Sequence, residues 1–291
     1  MLNDSRHGLI AKQTLTPDEI AEISRLIDIC NEHDRLRMRI GLEMLRERRG
    51  DETNDFLYYA GGQLVGYLEA DSYSRKEKEL TGMVHPDFRR QGIFTALFTA
   101  AKKELQQRGV QKLIFVCEHK SESGRAFLAT TGAELAFAEH ETWLGTFHER
   151  GRRTEGLSMR RAYAGDIDTI VSFLATDSGN VDGVKGWVTE LMGKPESFWF
   201  FLATLHGQPL GTVRLDFMED VTGIYAFEVR LGYRGLGYGR EMLEQLIHIA
   251  RAASTKPIML DVETDNTNAV GLYLSCGFEV KTTYDYYELS L

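Results

Sequence analysis

The stretch GYRGLGYGR, residues 232–240, sets four glycines and two arginines directly ahead of a run with helical periodicity. A strand that enters a glycine-rich turn and then a helix makes an anion site by geometry alone. The first N–H groups of the helix have no internal partner, and its dipole favours negative charge there. Glycines let several N–H groups converge on one phosphate because no Cβ blocks the approach. The stretch does not fit the dinucleotide fingerprint, since Gly239 stands one residue early, nor a P-loop, since no Gly-Lys-Ser/Thr follows. Taken alone, a glycine-rich helix start with no ligand accounts for it equally well. Further chemistry surrounds it. Tyr273, in LYLSCGF, offers a phenol (pKa about 10) that can donate a proton. Glu228, Asp216, Asp261 and Glu263 are carboxylates on candidate strands, and Asn266 and Asn268 sit in a helix-start composition, TDNTNA. By spacing alone, Tyr273 is as readily a packing aromatic and the asparagines are plain caps.

The elements that must position these residues occur twice. Gly62-Gln63-x-x-Gly66 matches Gly207-Gln208-x-x-Gly211, Arg89 and Gly92 fall on Arg234 and Gly237, and Gly132 falls on Gly277, always at the same offset. Such self-similarity predicts two homologous domains, 1–150 and 151–291, joined near the polar segment HERGRRTEG (148–156). Each copy reads as a strand pair with Gly61-Gly62 or His206-Gly207 at the turn, a third strand, the loop, and a helix. In that helix Met242, Leu243, Leu246, Ile247 and Ala250 share a face, as do Leu97, Phe98, Ala101 and Leu105 in the first copy. A buried strand, a short helix and a final aromatic-rich strand pair close each copy. The expected class is α/β (α+β), three-layered, with a mixed, mainly antiparallel twisted sheet flanked by helices in each domain.

Bulk properties exclude several classes. The 291 residues carry a net charge of −9, split −3 and −6 between residues 1–150 and the remainder, so a nucleic-acid partner is not expected. No apolar run approaches the ~20 residues of a membrane span, and the start lacks a secretory signal. Cys30, Cys117 and Cys276 form no metal-ligand or disulfide pattern, which fits a reducing cytoplasm and no metal. The polar, glycine-rich stretch 176–187 reads as a loop, and Trp187 and Trp199 either line a pocket or pack the core.

Arg234-x-x-Gly237-x-Gly239 between strand and amphipathic helix, followed by Asn266, Asn268 and Leu272-Tyr273-x-x-x-Gly277-Phe278, resembles the acetyl-CoA signature of the GNAT superfamily of N-acyltransferases. The resemblance covers the second copy and, through the repeat, most of the first, and it implies a tandem GNAT protein. It implies acetyl-CoA as cosubstrate, a small-molecule or peptide amine as acceptor, and a pyrophosphate held at Arg234, Gly235, Leu236, Gly237, Tyr238, Gly239 and Arg240. The arginine side chains would add charge. It further implies a main-chain N–H near Val229, ahead of Leu231, for the acyl oxygen, Asn266 and Asn268 on the coenzyme, Tyr273 as proton donor, and an acceptor-binding wall at 176–187. The family fixes no residue as base; among the candidate carboxylates Glu228, on the strand next to the acetyl site, is the one expected to serve. In the first copy Phe94 replaces Gly239, Leu128 replaces Tyr273, and Ser121 and Ser123 replace the asparagines. That copy is therefore expected to be non-catalytic, and the chain monomeric or homodimeric. A non-catalytic acyl-CoA-binding sensor or scaffold is the alternative.

Overall fold

A computed structural model describes residues 6–72, 76–151, 153–175 and 180–291. It divides the chain into two compact units, 1–138 with 282–291, and 139–281.

The first unit opens with β1 (Gly8–Lys12), α1 (Pro17–Asp34) and the short α2 (Leu42–Arg46). Then come β2 (Asp55–Ala60), β3 (Gln63–Ser72), β4 (Glu77–Val84), α3 (Ile93–Gln107), β5 (Lys112–Glu118), α4 (Glu122–Leu128) and β6 (Glu134–Leu144). The remaining elements are β7 (Leu157–Arg161), α5 (Ile167–Leu174), α6 (Val181–Met192), β8 (Phe198–Leu205), β9 (Gln208–Phe217) and β10 (Thr222–Val229). They end with α7 (Tyr238–Ala253), β11 (Ile258–Glu263), α8 (Thr267–Cys276) and β12 (Phe278–Ser290). The strand order is β1-β2-β3-β4-β5-β12 in the first unit and β6-β11-β10-β9-β8-β7 in the second. Neighbours are antiparallel except β4 with β5 and β10 with β11, the parallel pairs bridged by α3 and α7. The mixed sheet with flanking helices is thus present in both units. Gly61-Gly62 and His206-Gly207 both adopt positive φ, as two-residue hairpin turns require.

Each sheet is covered on both faces. In the second unit Val213, Leu215, Ile224, Leu260 and Val262 pack with Leu243, Leu246, Ile247 and Ala250 of α7. Strand alternation sends the intervening residues to the opposite face, where Phe200 meets Ile170, Val171 and Val188 of α5 and α6. The first unit repeats this with Leu97, Ala101 and Leu105 on one side and Ile20, Ile23 and Leu26 on the other.

The compact units cross the boundary expected at 150/151. Residues 139–144 of β6 pair with β11, whereas Tyr284–Ser290 of β12 pair with β5. The last strand of each sequence repeat is therefore built into the unit formed by the other. The segment read as a linker is bound as well: Glu244 accepts from the N–H groups of Arg150 and Gly151, and Glu241 from the N–H and hydroxyl of Thr154. Both glutamates are buried on α7. The expected closing strand pair is one unbroken strand in each case, because neither GAELAFAEHETWL nor GFEVKTTYDYYELSL contains a turn signal after its first residue. No helix among the described residues is long and apolar enough to cross a membrane.

A fragment of residues 151–291 lacks the edge strand 139–144 and retains a C-terminal strand whose partner is missing. Residues 139–281 retain the pairing of β6 with β11 and leave out the part of β12 that pairs with β5. We expect 139–281 to give a cooperative thermal transition and 151–291 to aggregate or melt without one, as read by circular dichroism and size-exclusion chromatography.

Candidate active site

The site in the second unit begins where two parallel strands part. β10 and β11 pair only at Thr222–Ile258 and Gly223–Met259, after which β10 runs on to Val229 with no partner on that side. Between Tyr225 and Glu228 the register of β10 on β9 slips by one residue, and Ala226 takes φ 51° to absorb the extra residue. Such a bulge re-aims the strand end and its N–H groups. A Cβ on Gly211 would lie 2.3 Å from the carbonyl oxygen of Glu228, so glycine is what lets β9 approach there.

The strand then passes through a 3-10 turn, Leu231–Tyr233, into the loop and α7. Gly235 and Gly237 have φ 74° and 90°, and added Cβ atoms on Gly235 and Gly232 would meet nothing within 4 Å. Gly239 is already helical, and a Cβ there would make only ordinary contacts at 3.6 Å with Leu272 and Val229. The first helical bond runs from Glu241 N–H to the Gly237 carbonyl (3.2 Å), so the amides of Gly239 and Arg240 are ones that helix geometry leaves for an outside acceptor. Leu231 and Leu236 flank the cradle, 72% and 53% exposed.

The two arginines expected to add charge are turned to the protein instead. Arg234 donates Nε–H to the Val229 carbonyl (2.7 Å) and pairs with Glu228 (2.8 Å). Arg240 binds Glu244 (2.9 Å), the His148 and Ser275 carbonyls (3.0 and 2.8 Å), and the Ser275 hydroxyl. These bonds fix the strand end and the first turn of α7. What the loop presents is backbone.

Tyr273 lies on α8, 7% exposed, edge-on to Phe227 (6.2 Å) and Phe278 (6.0 Å). Burial first, then the charge of Glu228, pushes its phenol well above the ordinary tyrosine value. A phenol held neutral can donate a proton at any physiological pH. Asn266 caps α8, its side chain accepting from Ala269 N–H (3.2 Å), and Asn268 stands exposed in the first turn. The capping role read from composition is thus what the structure displays for Asn266.

Among the other carboxylates, Asp216 is held by Arg214 at both oxygens (2.5 and 2.8 Å), Asp261 pairs in register with Glu141, and Glu263 with Glu139. Glu228 alone is tied electrostatically to Tyr273. Trp187 stands half-exposed over the Arg214 guanidinium (4.8 Å), on the face away from α7. Trp199 bonds the Pro195 carbonyl (2.8 Å) and packs on Phe217. Residues 176–179 of the expected acceptor wall lie outside the described residues; 181–187 form the first half of α6.

The first unit holds a feature that sequence reasoning missed. A cavity of about 900 Å3 runs between β4 and β5, which pair only as far as Leu80–Phe115. The loop geometry is kept: Arg90 and Gly92 adopt φ 63° and 78°, and Arg89 donates to the Val84 carbonyl (3.0 Å) as Arg234 does to Val229. Phe94 does not destroy the site. Its ring reaches toward Gly82 (3.0 Å from an added Cβ), while in the second unit Phe227 occupies the place of Gly82 and Gly239 that of Phe94. The aromatic ring has changed sides. Two other parts are absent: β3 and β4 keep unbroken register, with no bulge, and Leu128 stands in place of the tyrosine. Among the described residues no group of three His, Cys, Asp or Glu could hold a metal ion.

The sequence profile of the acetyltransferase (GNAT) family matches residues 20–132 and again 170–278. The chain belongs to the GNAT acetyltransferase family. It is a tandem member, with one match in each repeat. It is 27% identical to a mycothiol acetyltransferase of Mycobacterium sp. (strain JLS), over 93% of this chain and 95% of that one. The fold is similar to that of a GCN5-related N-acetyltransferase from Sphaerobacter thermophilus (TM-score 0.82, 21% identity, covering 97% and 95% of the two chains). It also resembles a tandem GNAT protein from the clavulanic acid biosynthesis pathway (TM-score 0.73, 16% identity, covering 97% and 98%). The family uses acetyl-CoA, and the backbone cradle, the parted strands and the space over Gly232 and Gly235 fit that cosubstrate.

Substituting Gly237 by alanine forces a Cβ into the left-handed region, at a cost of about 1–2 kcal/mol, whereas Gly239→Ala meets only ordinary contacts. We expect Gly237→Ala to raise the acetyl-CoA dissociation constant by about tenfold and Gly239→Ala to change it little, as measured by isothermal titration calorimetry.

Proposed function

We propose that the second unit transfers the acetyl group of acetyl-CoA to a primary amine of a small molecule or peptide. The observation that carries this reading is the meeting of three features at one strand end: the bulge at Ala226, the backbone cradle at 235–240, and the buried, neutral phenol of Tyr273.

Bound acetyl-CoA would supply an acyl thioester. The amides at the start of α7 hold its pyrophosphate, helped by the helix dipole. A main-chain N–H at the end of β10, near Val229, faces the acyl oxygen and stabilises the negative charge that develops there. Tyr273 gives its proton to the departing thiolate. Glu228 takes the proton from the attacking amine, and its pairing with Arg234 orients the carboxylate. Asn268, exposed at the start of α8, lies on the coenzyme side; Asn266 acts by capping that helix. The second unit is thus the catalytic one.

The first unit supports a second, non-catalytic reading for its own site. Its cavity, its retained loop conformation and its missing bulge and tyrosine favour holding a coenzyme without turnover.

In a thiol-release assay with acetyl-CoA and a panel of amines, Tyr273→Phe is expected to lower kcat by roughly 10²–10⁴-fold and leave coenzyme affinity within about twofold. Because the folded phenol titrates above its ordinary value, wild-type activity should show no loss from Tyr273 ionisation as pH rises to about 10. Full activity in Tyr273→Phe would remove the phenol from the mechanism.

A further inference from the structure

We propose that the first unit holds a coenzyme A thioester whose acyl chain is longer than acetyl, and keeps it from any acceptor. The inference rests on the coenzyme reading of that unit given above.

The cavity passes through the sheet rather than lying on one side of it. Leu80, Val84, Phe115 and Cys117 belong to the face packed on α3. Alternation sends Thr81, Met83, Val116 and Glu118 to the other face, and all eight line the same cavity. A ligand anchored by its phosphates at the start of α3 can therefore extend an arm between β4 and β5 and deliver its far end to the α1 side. Free basic charge stands at the anchor, for Arg90 lines the cavity beside Gly92 and is exposed, without a bond or ion pair to the described residues.

What awaits that far end is apolar. Leu36, Met38, Met83, Val116 and Tyr284 form the wall. Two methionines make it adaptable in shape. The charged groups on that side are already satisfied: Asp34 pairs with Arg89 (2.6 Å), Arg39 donates to the Tyr286 hydroxyl, and Glu118 accepts from the Arg37 N–H at one oxygen and from the Thr282 hydroxyl (2.6 Å) at the other. An acetyl group offers a single methyl to this surface; a longer chain buries several methylenes, and each adds to the affinity.

The same wall excludes an acceptor. The segment 35–41 crosses the α1 side and is fixed at successive residues. The Tyr284 hydroxyl donates to the Arg37 carbonyl (2.6 Å), Met38 N–H to Asn31 (2.9 Å), and Arg39 to the Tyr286 hydroxyl (2.8 Å). Tyr284 and Tyr286 come from β12, the C-terminal strand of the second repeat. With that route closed, and with no bulge and no tyrosine at the position of Leu128, the thioester is held and not used.

The test titrates the full-length protein with CoA, acetyl-CoA and octanoyl-CoA by calorimetry, in wild type and in Gly92→Asp. Aspartate tolerates the left-handed backbone and sets a negative charge where the phosphates would bind. The component of binding that Gly92→Asp removes is the one belonging to the first unit. We expect octanoyl-CoA to occupy that component at least about tenfold more tightly than acetyl-CoA, and Met38→Trp, which fills the acyl wall, to abolish the difference. If the removed component binds all three ligands equally, the acyl pocket is refuted while the coenzyme reading stands. If Gly92→Asp removes nothing, the coenzyme reading of this unit falls, and the acyl pocket with it.

Discussion

Everything in the candidate site depends on two parallel strands that stop pairing too soon. β10 and β11 hold together for two residue pairs and then part, opening a gap beside the end of β10. A ligand arm with its own amides and a carbonyl is the natural filler of such a gap. The helix that follows contributes its unpaired amides at the mouth, so one chain segment, 222–240, builds both the phosphate end and the reactive end.

Within that segment the bulge separates the two copies more sharply than the glycine loop does. Both loops adopt nearly the same backbone, with left-handed residues at equivalent positions. Both arginines fold back onto the carbonyl of the strand end. Only β10 carries the slipped residue, and only α8 carries the tyrosine. The first copy has therefore kept the loop conformation and lacks the bulge and the tyrosine.

Much of this was legible in residue order. The repeat, the hairpin turns, the helices with their buried faces and the loop between β10 and α7 follow from periodicity and glycine placement, since these are local properties. The family follows from the loop and Tyr273 together. Four things were not legible. The exchange of β6 and β12 between units is a choice of tertiary partner, and nothing in GAELAFAEHETWL says which edge it joins. The bonds of Arg234 and Arg240 to Val229, Glu244 and Ser275 are tertiary contacts that no local pattern announces. Phe94 stands where the second copy has Gly239, and only the structure sets Gly82 opposite its ring, because that glycine lies twelve residues away on another element. Ala226 gives no warning of its positive φ, for alanine is not a residue that announces a bulge.

The central claim is that acyl transfer is set up at the end of β10. A crystal structure of the full chain with a non-transferable thioether analogue of acetyl-CoA tests it most directly. The account predicts the analogue in the second unit, its acyl oxygen within hydrogen-bond distance of a β10 amide near Val229 and its sulfur within reach of the Tyr273 hydroxyl. An analogue bound only in the first unit, or one in the second unit with its sulfur away from Tyr273, would contradict it.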